Sequence, residues 1–290
     1  MMSDARILDR GYRRFEGERA GLRGSVGSLT WHTSRSILGL GRKARYKIVP
    51  VFIIVIAFLP VIAFLALAIL VGDLLQGELR PDYWEFSRFG LAVFATLLFT
   101  AFVTPEAIVR DRRDGMYSLY LSTPLTKVSY LGAKALAVIG TMSLVVLAPS
   151  LFLLLGYTFQ SLGPDGLLDW LGVMGRLVIA GVGMCVVYSA VSLGVSSLTD
   201  RRAFSTIAVI MVMMGALIAT ALLVEQAGMN ANVLLLDPLR LALEISPRLF
   251  GDRSTDYEGV STWAVVLGNL GWTLVGVGTV ASRYRKLDAV

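Results

Sequence analysis

The apolar positions of this chain gather in long unbroken blocks and rarely alternate with polar ones. Six segments of 17 to 24 residues carry no Asp, Glu, Lys or Arg: Ile48 to Val71, Phe89 to Pro105, Ala135 to Tyr157, Leu177 to Leu198, Ala203 to Val224 and Val260 to Ser282. A helix rising about 1.5 Å per residue needs roughly 20 residues to cross about 30 Å of hydrocarbon, so each block predicts a membrane span. Span 2 attains that length only if the turn carrying Glu106 continues it to about Val109. The polar positions between spans are uneven. Between spans 2 and 3, six charged side chains fall within the nine residues from Glu106 to Asp114, and Gly115 follows. Met116, Leu119 and Tyr120 then share one face at i, i+3, i+4 spacing. This pattern predicts a short helix lying across the membrane surface. Thr123 is expected to cap the next helix, with Pro124 at its first position, where no N–H is required.

Composition supports an all-α membrane protein. Hydrophobic residues make up 55% of 290 positions and mean hydropathy is +0.68, above the roughly 45 to 50% apolar share of soluble domains. Lys and Arg fix the expected orientation. With six spans, twenty of them fall on one side: eleven before span 1, then Arg110, Arg112, Arg113 and Lys127, then Arg201 and Arg202, then Arg283, Arg285 and Lys286. Only Arg80, Arg88, Arg240, Arg248 and Arg253 fall opposite. Both termini are therefore expected in the cytoplasm. The net charge of +6 follows from this topology and from contact with lipid, and implies no nucleic-acid partner.

Residues 1–47 contain no apolar stretch resembling a signal sequence and are expected to form a cytoplasmic tail. Within it, Leu29, Thr33, Ile37, Leu40 and Ala44 form one stripe from Ser28 onward. That spacing suits an interfacial amphipathic helix leading into span 1, although a basic juxtamembrane tail is an alternative. Gly11 to Gly27 shows no period and is expected to be irregular. The body of the protein is then residues 48–282, with a short tail at 283–290.

Catalytic constellations are absent from the sequence. His32 is the only histidine and Cys185 the only cysteine, which excludes His/Cys metal sites, Ser-His-Asp and Cys-His machinery and internal disulfides. There is no Gly-x-x-x-x-Gly-Lys-Ser/Thr loop for a triphosphate, and Glu106, as the one acid close to a span, makes no acid/base pair. The chain is expected to bind no cofactor and to be no enzyme.

The run from Glu106 to Lys134, with Asp-Arg-Arg-Asp-Gly at 111–115, Leu-Tyr-Leu-Ser-Thr-Pro-Leu at 119–125 and Tyr-Leu-Gly-Ala-Lys at 130–134, resembles the loop between spans 2 and 3 of type-2 ABC transporter permeases. Met116 replaces the Thr usual after the glycine, and Asp111 and Asp114 stand where Glu is commoner. The resemblance implies a coupling helix that docks on a separate ABC ATPase subunit, which would hold ATP and magnesium. It also implies a second permease subunit, identical or related, and a place in the cell membrane. Arg110, Asp111, Arg112, Arg113, Asp114, Gly115, Met116, Leu119 and Tyr120 become the candidate coupling residues. A surface helix that only meets lipid headgroups is the competing reading of this segment.

Other positions carry softer expectations. Pro60 and Pro149 should kink spans 1 and 3, as hinges or as fixed shape. Glu106 and Lys134 are candidates for an ionic contact, unless Lys134 snorkels to headgroups. Small residues in spans 4 and 6 favour close helix packing. Asp237-Pro238-Leu239-Arg240 begins a capped outer helix running to about Ile245, either re-entrant or a lid. The expectation is thus the permease subunit of an ATP-driven exporter of a drug-like, lipid or amphipathic substrate. A secondary transporter and a non-transporting anchor or sensor subunit are the alternatives.

Overall fold

The computed structural model describes residues 21–71, 83, 85–116, 119–120 and 123–286, with no strand among them. Six helices are long and apolar enough to cross a membrane. They are preceded by helix α1, Gly21–Ile37, whose buried residues are Leu29, Thr33 and Ile37. Residues 21–27 are helical and not irregular, because α1 lies against span 3 and gains from packing what its glycines lack in propensity; the Thr30 hydroxyl donates to the Ala133 carbonyl at 3.3 Å. The stripe also ends at Ile37, and Leu40 and Ala44 are exposed. Gly39 and Gly41, at φ +70 and +82, turn the chain back in an elbow. A Cβ on Gly39 would lie 2.4 Å from the Tyr46 carbonyl oxygen, so only glycine fits there.

Span 1 is α2, Arg45–Val71, which runs helical through Pro50 and Pro60. Span 2 is continuous from Gly90 to Arg113, eight residues past the charge-free block. It comprises α3, Gly90–Leu98, a π-helical stretch Phe99–Val103, and α4, Glu106–Arg113. Pro105 explains the wide turn: it has no N–H to offer and its ring crowds the carbonyl four residues back. The Thr104 N–H bonds the Phe99 carbonyl at 3.1 Å, one residue further back than in an α-helix. The Thr100 carbonyl is thereby released and accepts from the Ser192 hydroxyl of span 4 at 2.8 Å. The Phe102 carbonyl accepts from the Arg202 guanidinium at 3.1 Å. One proline thus joins span 2 to spans 4 and 5.

Span 3 is α5, Lys127–Phe159, and its cap is Thr126, three residues after the expected Thr123. Ser129 decides this: its backbone N–H donates to the Thr126 hydroxyl while its hydroxyl accepts from the Thr126 N–H, a reciprocal cap that Thr123 has no partner to form. α5 continues through buried Pro149. Span 4 is α6, Leu167–Ser196, span 5 is α7, Arg202–Glu225, and span 6 is α10, Thr262–Lys286. α6 forms the centre, packed chiefly on α5 and α10. Its crossing with α10 is glycine on glycine: a Cβ on Gly194 would meet the Gly276 Cα at 2.9 Å, and one on Gly276 would meet the Ala190 carbonyl at 2.2 Å.

Between α7 and α10 the chain forms a 3-10 turn, Ala231–Leu236, then α8, Pro238–Leu243, and α9, Ile245–Phe250. Asp237 caps α8 as its sequence predicts, accepting from the Leu239 and Arg240 N–H groups at 2.9 and 3.3 Å. The helix ends two residues before Ile245. Leu239, Leu241, Ala242 and Leu243 are buried against the bundle, and the Tyr188 hydroxyl donates to the Leu239 carbonyl at 2.9 Å. This segment is packed into the helices of the bundle and is no loose lid.

Candidate functional site

The basic ends of the spans meet around α4. Its buried side chains are Ala107, Ile108, Val109 and Asp111, so Asp111 extends the apolar stripe instead of joining the polar face. A buried carboxylate requires a partner. Lys134 of α5 supplies it: the ammonium lies 2.6 Å from Asp111 Oδ2, with the lysine side chain 3% exposed. The Tyr130 hydroxyl, one turn before Lys134, donates to the same oxygen at 3.0 Å. Tyr120 stacks on Tyr130 with ring centroids 5.6 Å apart, and Lys134 sits 5.6 Å from both rings. Burial, with the Asp111 carboxylate nearby, pushes the Tyr120 phenol above its ordinary value of 10.

Glu106, one helical turn earlier, does not pair with Lys134. Its two oxygens receive Arg42 of the elbow at 2.8 Å and Arg202 at the start of α7 at 3.1 Å. Lys134 lies on the opposite flank of α4, where Asp111 claims it. Arg112 is also inward: its guanidinium lies 2.6 Å from Asp200, with 6% side-chain exposure, and donates to the Ser197 carbonyl. Arg110 reaches the Ser36 hydroxyl at 3.0 Å and Asp114 at 3.4 Å. Arg113 is the outward cation, 63% exposed, beside Asp114 at 3.1 Å. Through these contacts α4 is tied to the elbow, to α5, to the turn after α6 and to α7.

The charged half of the expected surface helix is therefore the end of span 2. Gly115, at φ +66, ends it, and the Met116 N–H bonds back to the Asp111 carbonyl at 2.9 Å. The Tyr120 N–H bonds the Met116 carbonyl at 3.1 Å; Tyr117, Ser118, Leu121 and Ser122 lie outside the described residues. Met116 and Tyr120 turn inward together, lining a small cavity with Thr33, Asp111 and Lys134. Leu119 turns outward and is 58% exposed. The expected three-residue face is thus split, because positions four apart follow the buried flank while the residue between them does not.

Arg42, Tyr130, Asp200 and Arg202 are site residues that the sequence reading passed over. A signal exists for Tyr130 alone, which precedes Lys134 by one helical turn; Arg42, Asp200 and Arg202 pair with residues remote in sequence. Pro60 and Pro149 lie far along their helices from this cluster and contribute nothing to its ion pairs. No group of His, Cys, Asp or Glu suited to a metal ion occurs among the described residues.

The chain is thus an all-helical protein with six membrane-length helices, several of whose ends meet in one charged cluster. The family profile described as ABC-2 family transporter protein matches residues 90–289, so the chain belongs to the ABC-2 transporter family. No curated protein matches it.

Proposed function

We propose that the chain is the membrane-spanning half of an ATP-driven exporter, resident in the cell membrane, with its basic end in the cytoplasm. An ABC ATPase subunit holding ATP and magnesium docks beneath that end, and two permease subunits enclose the pathway. The observation carrying this reading is the attachment of α4. A push on the turn bearing Leu119 and Arg113 reaches span 3 through Asp111–Lys134 and spans 1 and 5 through Glu106. A surface helix serving only as an anchor needs no such linkage. α7 buries only Ser205, Thr206, Val209, Met213 and Thr220, and its remaining face suits a second permease. The near absence of charge at the middle of the spans favours a drug-like, lipid or amphipathic cargo over an ion.

The test is Leu119→Ser in a complex reconstituted with its ATPase subunit. Leu119 is 58% exposed, so the variant should insert and fold normally. It should lose substrate-stimulated ATP hydrolysis and transport if Leu119 docks. Full coupling in this variant would return the turn to the role of a lipid-facing anchor.

A further inference from the structure

A cleft of about 640 Å³ opens between the elbow and α4. Arg42, Lys43, Arg45, Arg110, Arg113 and Arg202 line it against two acids, Glu106 and Asp114. Both acids are already engaged, Glu106 by Arg42 and Arg202 and Asp114 by Arg110 and Arg113. Lys43 and Arg45 make no ion pair among the described residues. Arg45 instead reaches the Tyr46 hydroxyl at 3.1 Å and lies 5.0 Å from its ring. Among the described residues the cleft therefore presents more positive than negative charge, which suits an anion.

Position and shape narrow the anion. Arg45 and Tyr46 open the first membrane span, the depth at which basic and aromatic side chains meet phosphate headgroups. Directly below them Ile48, Val49, Val51 and Phe52 are exposed on α2. A second cavity of about 100 Å³ shares Arg42, Arg45, Tyr46, Glu106 and Arg202 with the cleft and runs inward to Val49, Pro50 and Val103. A cationic mouth over an apolar floor matches a phosphodiester followed by an acyl chain. A soluble phosphate has no use for the floor. An acidic helix of a protein partner would meet Lys43 and Arg45 but has no use for the exposed Ile48, Val49, Val51 and Phe52 below them.

We propose that this cleft holds one anionic phospholipid, its phosphate between Lys43 and Arg45 and one chain against Val49. The site is independent of the transport reading, since it is measured on the full chain without ATP or an ATPase. The purified protein is titrated in neutral detergent with dioleoyl phosphatidylglycerol or dioleoyl phosphatidylcholine, and bound lipid is counted by native mass spectrometry. One phosphatidylglycerol should bind in preference to phosphatidylcholine. Lys43→Gln with Arg45→Gln should weaken that preference by roughly tenfold or more, as expected for two cations at an anionic surface, with elution and Tm unchanged. Millimolar glycerol phosphate should not displace the lipid. Equal binding of the two lipids by the wild-type protein, a comparison that needs no variant, would overturn the proposal. So would displacement by glycerol phosphate, which marks a soluble-phosphate site. Loss of ATPase-subunit association in the double variant with lipid binding unaffected would overturn it too, assigning the cations to a protein partner.

Discussion

Asp111 and Lys134 allow a quantitative test of how α4 is held to span 3. The carboxylate accepts from Lys134 at 2.6 Å and from Tyr130 at 3.0 Å, and the lysine side chain is nearly inaccessible. Asp111→Leu leaves a nearly inaccessible ammonium without a counter-charge. Breaking one side of a buried pair costs about 3 to 5 kcal/mol, and loss of the tyrosine's acceptor adds roughly 1 kcal/mol. Lys134→Met alone should cost a comparable amount by stranding the carboxylate. The combined Asp111→Leu, Lys134→Met variant removes both charges and replaces them with apolar groups, so its stability should return to within about 1 to 2 kcal/mol of wild type. Equilibrium unfolding in mixed micelles would give the stabilities, and ATPase and transport assays on the reconstituted complex the function. The double variant should fold yet transmit poorly, because the directional tie between α4 and α5 is gone. Additive single-variant losses would show that the two residues do not act as a pair. Normal coupling in the stable double variant would show that the tie is structural only.

Three further outcomes follow from the geometry. With Cys185 replaced by Ser, cysteines introduced at Thr199 and Thr123 should resist impermeant thiol reagents in intact cells while those at Gln160 and Asn232 react; external labelling at Thr199 would reverse the proposed orientation. Gly276→Val forces a side chain against the Ala190 carbonyl, and such overpacking should lower stability by about 1 to 3 kcal/mol; an unchanged Tm would show that α6 and α10 can separate freely. Burial pushes the Asp237 carboxyl up to about 6, against the lowering effect of the Arg240 and Leu239 N–H groups. The folded state therefore holds this proton more tightly than the unfolded chain, and stability falls as pH rises from about 4 to about 6. Asp237→Asn keeps the helix cap and should gain stability over wild type at pH 7.5 but not at pH 4; an identical difference at both pH values would refute the assignment.

The spans were legible because a bilayer imposes a length and forbids charge, and both conditions are written directly in the sequence. Boundaries were less so, for a reason visible at each misplaced end. Charge bounds the predicted blocks at about Val109, at Ala135 and at Leu177, yet Asp111, Lys134 and Arg176 all sit within the helices. Asp111 and Lys134 neutralise one another, and the Arg176 guanidinium lies 5.6 Å from the Phe250 ring, so none of the three helices has cause to end there. Pairing across helices is invisible to a count made along one. The same blindness hid Arg42 and Arg202, whose partner Glu106 is remote from both in sequence.

The direction of Leu119 turns on a different kind of information. Periodicity predicts Met116, Leu119 and Tyr120 on one face, whereas Met116 and Tyr120 line the cavity and Leu119 is exposed. Which flank of that face is buried depends on where α4 points its own side chains, and this is settled by Asp111. Because the carboxylate must reach Lys134, α4 rotates its apolar stripe toward α5; because Gly115 then reverses the chain, Met116 and Tyr120 fall over the same cluster and Leu119 is left outside. Isosteric Asp111→Asn should preserve that rotation, its amide oxygen still accepting from Lys134 and Tyr130, whereas Asp111→Arg, placing two cations in one buried site, should expel the whole turn. The accessibility of a cysteine at Met116 to thiol reagents in purified protein would report the difference: slow in Asp111→Asn, fast in Asp111→Arg. Equal rates in the two would mean that something other than the buried carboxylate sets the exposed face of this turn.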